Sequence, residues 1–206
     1  AVMTSPDGTT WTPHSAAGAD DSWRSVTYGS GLFVAVGEGP DAVMTSPDGT
    51  TWTPHSAAGD DDTWRSVTYG SGLFVAVGGG GDVVMTSPDG ITWTARSAAG
   101  DDDGWYGVTY GNGLFVAVGE GPDVVMTSPD GITWTARSAA GDDDGWYGVT
   151  YGNGLFVAVG GGGDYVMTSP DGITWTARSA AGDDDSWNSV TYGNGLFVAV
   201  GYALGL

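Results

Sequence analysis

The chain repeats one sequence unit five times, and this periodicity restricts its possible folds more than any other feature. Its five methionines each follow the previous one by 41 residues, at Met3, Met44, Met85, Met126 and Met167. A constant period of roughly 20 to 50 residues is typical of solenoids, propellers and other repeat arrays. The 206 residues are therefore expected to form one repeat domain.

Each copy contains four strand-like runs separated by turn sequences. The runs SVTYG and LFVAVG are rich in strand-forming residues and are joined by a short glycine turn. In the later copies this turn is Asn-Gly, as at Asn112-Gly113, which suits the positive φ angles of a type I′ hairpin. A second hairpin joins VVMTS to ITWTARS through PDG, where Pro88 presets φ and Gly90 can adopt a left-handed conformation. No stretch has helical periodicity, so an all-β protein is predicted.

These features predict a five-bladed β-propeller with four antiparallel strands in each blade. The run LFVAVG is apolar at nearly every position, which is typical of a strand packed on both faces. Because the chain begins within a blade, residues 1–16 and 187–201 are expected to pair as a closing blade of two plus two strands. The complete blades are expected at about 23–57, 64–98, 105–139 and 146–180.

The segment SPDGITW resembles the Asp-box of sialidase-type propellers, also called the BNR repeat. The pattern Ser-any-Asp-any-Gly-any-Thr-Trp is matched by Ser87, Asp89, Gly90, Thr92 and Trp93. Here the aspartate and glycine are adjacent, so the segment is one residue shorter than the family pattern. The resemblance implies that this turn joins the third and fourth strands of each blade. It follows that SVTYG would be the innermost strand and LFVAVG the second.

The charge balance argues against two classes of partner. The chain has 25 acidic residues and 5 arginines, no lysine, and a formal net charge of −20. Such a charge repels nucleic-acid backbones and anionic membrane surfaces, because binding to phosphates depends largely on cationic side chains. No run of about 18 apolar residues is present, so a soluble protein of unknown location is expected.

Acidic residues are concentrated in the AGDDD connection between blades and in the loop after the second strand, which the topology places on one face of the ring. A pair such as Asp101 and Asp103 offers two oxygen ligands, so binding of calcium or another divalent cation is one hypothesis. The alternative is a solvated acidic surface that opposes edge-to-edge association. The candidate ligand-binding aspartates are Asp41, Asp82, Asp123, Asp164, Asp62, Asp103, Asp144 and Asp185.

A second hypothesis is glycan binding. The chain resembles the tachylectins in blade number and size, and that resemblance implies sugar sites between neighbouring blades. Trp105 and Trp146 stand beside the acidic loops and are candidate sugar platforms, with packing between blades as the alternative role. The resemblance thus gives the hypothesis of a multivalent glycan-binding lectin. The acidic face gives the separate hypothesis of a cationic partner.

Catalysis is not predicted. The sialidase resemblance implies that an active site would need three arginines around the central cavity. In this chain the arginines are expected at outer, repeat-equivalent positions: Arg24 and Arg65 on first strands, and Arg96, Arg137 and Arg178 at the ends of fourth strands. The sequence therefore predicts a non-enzymatic, symmetric scaffold or binding module.

The copies are almost identical, and GLFVAVG recurs unchanged in all five. Such similarity favours an engineered, reconstructed or recently amplified protein. It also predicts a monomer with a risk of strand-swapped oligomers, because strands of one chain can complete a blade of another.

Overall fold

The protein is all-β, with twenty strands and no helix among the described residues of this computed structural model. None of the described residues belongs to a helix that is long and apolar enough to cross a membrane. The structure describes residues 1–18, 22–39, 41–59, 63–79, 84–100, 104–121, 124–141, 145–161, 166–181 and 185–203.

Four complete blades follow one another along the chain, and each is a four-stranded antiparallel sheet in sequential order. The first contains β3 (Ser22–Gly29), β4 (Leu32–Glu38), β5 (Val43–Ser46) and β6 (Thr53–His55). The second contains β7 (Trp64–Gly70), β8 (Leu73–Gly78), β9 (Val84–Ser87) and β10 (Thr94–Arg96). The third contains β11 (Gly104–Gly111), β12 (Leu114–Glu120), β13 (Val125–Ser128) and β14 (Thr135–Arg137). The fourth contains β15 (Gly145–Gly152), β16 (Leu155–Gly161), β17 (Val166–Ser169) and β18 (Thr176–Arg178).

Two further hairpins supply the strands of a fifth blade. One is β1 (Val2–Thr4) with β2 (Thr12–His14), and the other is β19 (Asp185–Gly193) with β20 (Leu196–Ala203). The propeller fold and the contribution of two strands from each end are therefore confirmed. Each blade presents its first strand to a common axis, where β3, β7, β11, β15 and β19 stand side by side.

The hairpin turns have the backbone conformation that their sequences predict. Asn112 and Gly113 both have positive φ, 50° and 77°, as a type I′ turn requires. In the first two copies a serine occupies the asparagine position and adopts the same conformation, with φ of 52° at Ser30 and 51° at Ser71. The tertiary fold therefore holds two serines in a conformation that asparagine and glycine adopt more readily.

The Asp-box turn between the third and fourth strands is a compact hydrogen-bonded unit. In the second blade, the Oγ of Ser87 donates to Asp89 Oδ1 at 2.9 Å and accepts from the Gly90 amide at 2.8 Å. The same Asp89 oxygen accepts the amides of Thr92 at 2.8 Å and Ile91 at 2.9 Å. The hydrogen bonds donated by these backbone amides hold the pKa of the Asp89 carboxyl below its usual range. The equivalent aspartates are Asp7, Asp48, Asp130 and Asp171, and their pKa values are lowered for the same reason.

The hydrophobic core lies between blades. At the joint between the first and second blades, Val34 and Val36 from β4 pack against Trp64, Phe74 and Met85 of the next blade. The same arrangement recurs at the following joints. The second strands of the complete blades are therefore buried on both faces, as their continuous apolar sequence predicts, whereas β20 carries the same sequence and is exposed.

A glycine at the end of each inner strand permits close approach of the next blade. A Cβ built on Gly111 would lie 2.1 Å from Cγ of Tyr151, and the same contact recurs at three further joints. The other pairs are Gly29 with Tyr69, Gly70 with Tyr110, and Gly152 with Tyr192. Any larger residue would force neighbouring blades apart.

The fifth joint differs from the other four. A Cβ on Gly193 would meet no atom within 4 Å, and its expected partner Tyr28 is 58% exposed. The hairpins β1–β2 and β19–β20 are separate two-stranded sheets, so the predicted ladder between β1 and β20 is not formed in this structure. The physical reason is that this ladder depends on the summed rotation of four joints, which no local sequence pattern specifies.

Removing the Asp89 carboxylate should weaken the second blade. Replacement Asp89→Ala leaves two backbone amides without their acceptor, and we expect the free energy of unfolding to fall by about 1–2 kcal/mol, as for a lost helix cap. Guanidinium denaturation at pH 7 measures this change. Asp89→Asn keeps one acceptor oxygen and should lose less.

The depressed pKa of Asp89 also predicts a pH dependence. A carboxyl with a lowered pKa in the folded state contributes stability above its unfolded pKa, which is near 4, and that contribution disappears as pH falls through the folded value. The stability difference between the wild type and Asp89→Asn should therefore shrink below about pH 4. A difference that stays constant down to pH 2 would contradict this assignment.

The glycine contacts provide a matched pair of variants. Gly111→Ala places a methyl group against the Tyr151 ring, and we expect a loss of about 1–3 kcal/mol from overpacking. Gly193→Ala adds the same group at an equivalent position with no neighbour, and at low protein concentration its stability should stay within about 0.5 kcal/mol of the wild type. Equal losses in thermal or guanidinium unfolding would contradict the described packing.

Candidate functional site

Each inner strand contains a β-bulge directly after its tryptophan. In the first blade the register shifts between Trp23 and Ser25, which leaves Arg24 as the extra residue. A bulge redirects the side chain of the extra residue and is common next to binding sites. The same shift occurs in all five inner strands, and the bulged residues are Arg24, Arg65, Tyr106, Tyr147 and Asn188.

The bulged side chains surround one end of the central axis. They are joined there by Tyr202 of β20, and together these six residues, here called the axial mouth, line a hollow of about 470 Å³. A deeper cavity of about 250 Å³ continues along the axis. It is lined by small residues at the next position of each inner strand, which are Ser25, Ser66, Gly107, Gly148 and Ser189.

This arrangement corrects one prediction about the arginines. Arg24 and Arg65 lie at the central axis, not at outer positions, because the bulge turns them inward from the innermost strand. The remaining arginines lie on the outer strands as expected. Arg96, Arg137 and Arg178 each donate from Nε to a threonine Oγ1 on the adjacent strand at 3.0 Å.

Arg24 is paired within its own blade. Its Nη2 lies 2.7 Å from Glu38 Oε1, and its Nε donates to the same oxygen at 3.1 Å. Both side chains are partly exposed, so the pair contributes little stability but neutralises two charges at the rim of the axial mouth.

Arg65 has a different environment because its repeat contains Gly79 where the first blade has Glu38. Without a carboxylate there, the guanidinium lies over the ring of Tyr106, with Cζ 4.4 Å from the ring centroid. Its Nε is buried and has no hydrogen-bond partner among the described residues. Arg65 therefore brings to the mouth a positive charge that no carboxylate of the described residues pairs with.

Two tyrosines continue the ring. The hydroxyl of Tyr106 donates to Glu120 Oε1, and the Tyr106 and Tyr147 rings meet edge to face with centroids 5.4 Å apart. Burial, followed by the bond to Glu120, raises the pKa of Tyr106 to about 12. Burial likewise raises the pKa of Tyr147. Both phenols are thus protonated at neutral pH. Tyr106 already donates its hydroxyl hydrogen to Glu120, so Tyr147 is the phenol that can donate to a ligand.

The axial mouth combines two guanidinium groups, three phenol rings and an amide around a polar hollow. Ser25 and Ser66 accept the Val67 and Val108 amides of the next blade at 3.2 Å, which leaves their hydroxyl hydrogens available to the cavity. Such a mixture of aromatic faces and hydrogen-bonding groups suits a small polar ligand.

Most of the aspartates predicted from the acidic loops lie outside the described residues. These are Asp62, Asp82, Asp103, Asp123, Asp144 and Asp164. Asp41 is half-buried in the turn before β5, and Asp185 begins β19. Within the described ranges, no group of three His, Cys, Asp or Glu side chains is arranged to hold a metal ion. A ligand role for the acidic loops therefore stays a prediction.

The two predicted tryptophan platforms are part of the core. Trp105 is 0% and Trp146 is 1% exposed, and each packs between blades. A sugar cannot reach either ring in this structure, so packing, the alternative role, describes their position.

The residues of the axial mouth were not among the predicted ligands. Their signal in the sequence is that the position after the inner-strand tryptophan reads Arg, Arg, Tyr, Tyr, Asn in successive copies, while the run VTYG that begins two residues later is unchanged. The position directly after the run LFVAVG varies similarly, as Glu38, Gly79, Glu120, Gly161 and Tyr202. Only the fold shows that the two variable positions are neighbours.

Solved structures share the fold at low sequence identity. The computationally designed Ika8 protein matches with a TM-score of 0.62 and 12% identity, over 90% of this chain and 57% of that one. A structure of YCF48 bound to D1 peptide matches with a TM-score of 0.62 and 16% identity, over 94% and 66%. A catalytically inactive variant of virginiamycin B lyase from Staphylococcus aureus with quinupristin gives 0.59 and 11%, over 90% and 85%.

The chain thus spans little more than half the length of the designed protein that it matches. No curated protein matches the sequence. The sequence profile of the DUF6242 beta propeller domain matches residues 5–144, which is more than half of the chain. Together with the blades described above, this match shows that the chain belongs to the DUF6242 beta propeller domain family.

Proposed function

We propose that this chain is a non-enzymatic binding module that takes one small, neutral, polar ligand of the saccharide class at the axial mouth. The observation that carries the proposal is the convergence of Arg24, Arg65, Tyr106, Tyr147 and Asn188 on one hollow. Near-identical repeats would place five identical side chains there. Instead, the copies differ at this position, so the mouth has a chemical composition that the rest of the ring lacks.

The charge of the site supports a neutral ligand. Arg24 is neutralised by Glu38, and Glu120, bonded to Tyr106, offsets the charge of Arg65 nearby. The whole chain carries −20, which repels anions at a distance. A saccharide offers hydroxyls to Arg65 and Asn188 and an apolar ring face to the tyrosines without a net charge.

The axial mouth differs from the site expected for a multivalent lectin. A lectin with five inter-blade pockets needs accessible aromatic residues in every repeat, whereas Trp105 and Trp146 are buried. The axial mouth is formed once per chain, by all inner strands together. The two hypotheses therefore predict different stoichiometries.

The absence of catalysis is part of the proposal. Tyr106 has a pKa of about 12, so its phenol stays protonated at neutral pH and does not act as a base or nucleophile there. Glu38 and Glu120 are already bonded to Arg24 and Tyr106. No pair of groups at the mouth is thus left in the free state that acid–base catalysis requires.

A glycan array followed by calorimetric titration tests the proposal. We expect a saccharide that binds with one site per chain and an affinity that changes little with salt, because the ligand is neutral. Arg65→Ala and Tyr147→Ala should each weaken binding at least about tenfold, or 1.4 kcal/mol.

The matched control is Arg178→Ala, which removes an arginine from an outer strand and should leave affinity unchanged. Five equal sites per chain would favour the multivalent lectin instead. An array without a binder, or full binding by Arg65→Ala, would overturn the axial site.

The cation hypothesis makes a separate prediction. If the acidic loops do not form a specific site, millimolar calcium should leave the melting midpoint unchanged relative to excess chelator in calorimetry. A ligand at 100 times its Kd adds about 2.7 kcal/mol of stability. A calcium-dependent rise that chelator reverses would therefore establish a cation site.

A further inference from the structure

The two ends of the blade array expose complementary halves of one joint. At the four formed joints, two valines of a second strand enter the next blade, as Val34 and Val36 do beside Trp64. The equivalent pair on β20, Val198 and Val200, is 53% and 60% exposed. This end is here called the tail surface, and it consists of Gly193, Phe197, Val198 and Val200.

The first blade exposes the surface that such valines would fill. A crevice of about 220 Å³ lies between the β1–β2 hairpin and the first blade. Its apolar lining includes Trp23, Val26, Ala35, Met44 and Trp52, which are equivalent to the residues that bury the valines at the other joints. These residues, with Tyr28 and the edge of β1, are here called the head surface.

The backbone edges match as well. In each complete blade the second strand pairs with a strand of sequence VMTS, with Ala35 opposite Met44 in the first blade. The sequence VMTS also occurs at residues 2–5, where it forms β1, and no strand of the described residues pairs with β1 on that side. Repeat equivalence therefore places Ala199 of β20 opposite Met3 of β1.

The rigidity of the formed joints favours a second copy as the occupant. Trp64, Trp105 and Trp146 are fully buried at the joints between blades, so any rotation there that brought a chain's own head and tail together would disturb a packed core. The glycine contacts at these joints have no room to tighten, since even a Cβ on Gly29 would lie 2.1 Å from Tyr69. Docking a second copy requires no change at any of them.

We propose that the tail surface of one copy docks on the head surface of another. Strand β20 of the first copy pairs with β1 of the second and completes a four-stranded blade, while Val198 and Val200 fill the crevice. Such a head-to-tail contact leaves one free end on each copy, so assembly continues until a ring closes. Because each chain carries −20, association should strengthen as salt screens the repulsion.

Disulfide trapping between two different chains tests the proposal, because the protein has no native cysteine. Met3→Cys and Ala199→Cys variants are mixed in equal amounts and oxidised. We expect a disulfide-linked dimer of one chain of each type. A mixture of Met3→Cys with Ile173→Cys, an exposed residue outside both surfaces, is the control and should give no specific dimer.

Light scattering over a concentration series gives a second measurement. The double variant Val198→Asp, Val200→Asp should weaken self-association at least tenfold, whereas Ile173→Asp, which adds the same kind of charge elsewhere, should not. The proposal is overturned if the mixed single-cysteine chains give no more dimer than the control. It is also overturned if the Met3→Cys, Ala199→Cys double variant forms its disulfide only within one chain at every concentration.

Discussion

The close packing of one blade on the next is the contact on which the rest of the structure depends. A glycine at the end of each inner strand lets the tyrosine of the following blade approach its backbone directly. That approach brings a buried tryptophan and the valines of the second strand into one apolar layer. Because a repeat buries little apolar surface within itself, stability comes from joints between neighbours, as in other repeat proteins.

The same joints create a site that no single blade possesses. They hold the inner strands side by side, so that five bulged residues face one hollow. The bulge is repeated in every blade, while the side chain that it presents is not. A nearly symmetric frame therefore carries an asymmetric site.

The axial mouth and the unformed joint are connected through the inner strands. Arg24 and Asn188 belong to the first and last of these strands, which lie on opposite sides of the open joint. A second copy docked at the open joint would contact the blades whose inner strands carry these two residues. Ligand binding and self-association therefore involve the same first and last inner strands.

The sequence by itself determined the strand number, the turn types, the Asp-box unit and the burial of the second strands in the complete blades, because each is indicated by a pattern inside one 41-residue repeat. It did not reveal that Arg24 and Arg65 face the axis, because a one-residue bulge reverses a side chain without changing the hydrophobic pattern. It assigned the strands of the fifth blade to the two ends of the chain, but the ladder that it predicted between β1 and β20 is not formed in this structure. Only the tertiary structure decides whether these two strands pair. They lie at opposite ends of the chain, so their relative position depends on the orientation of every blade between them.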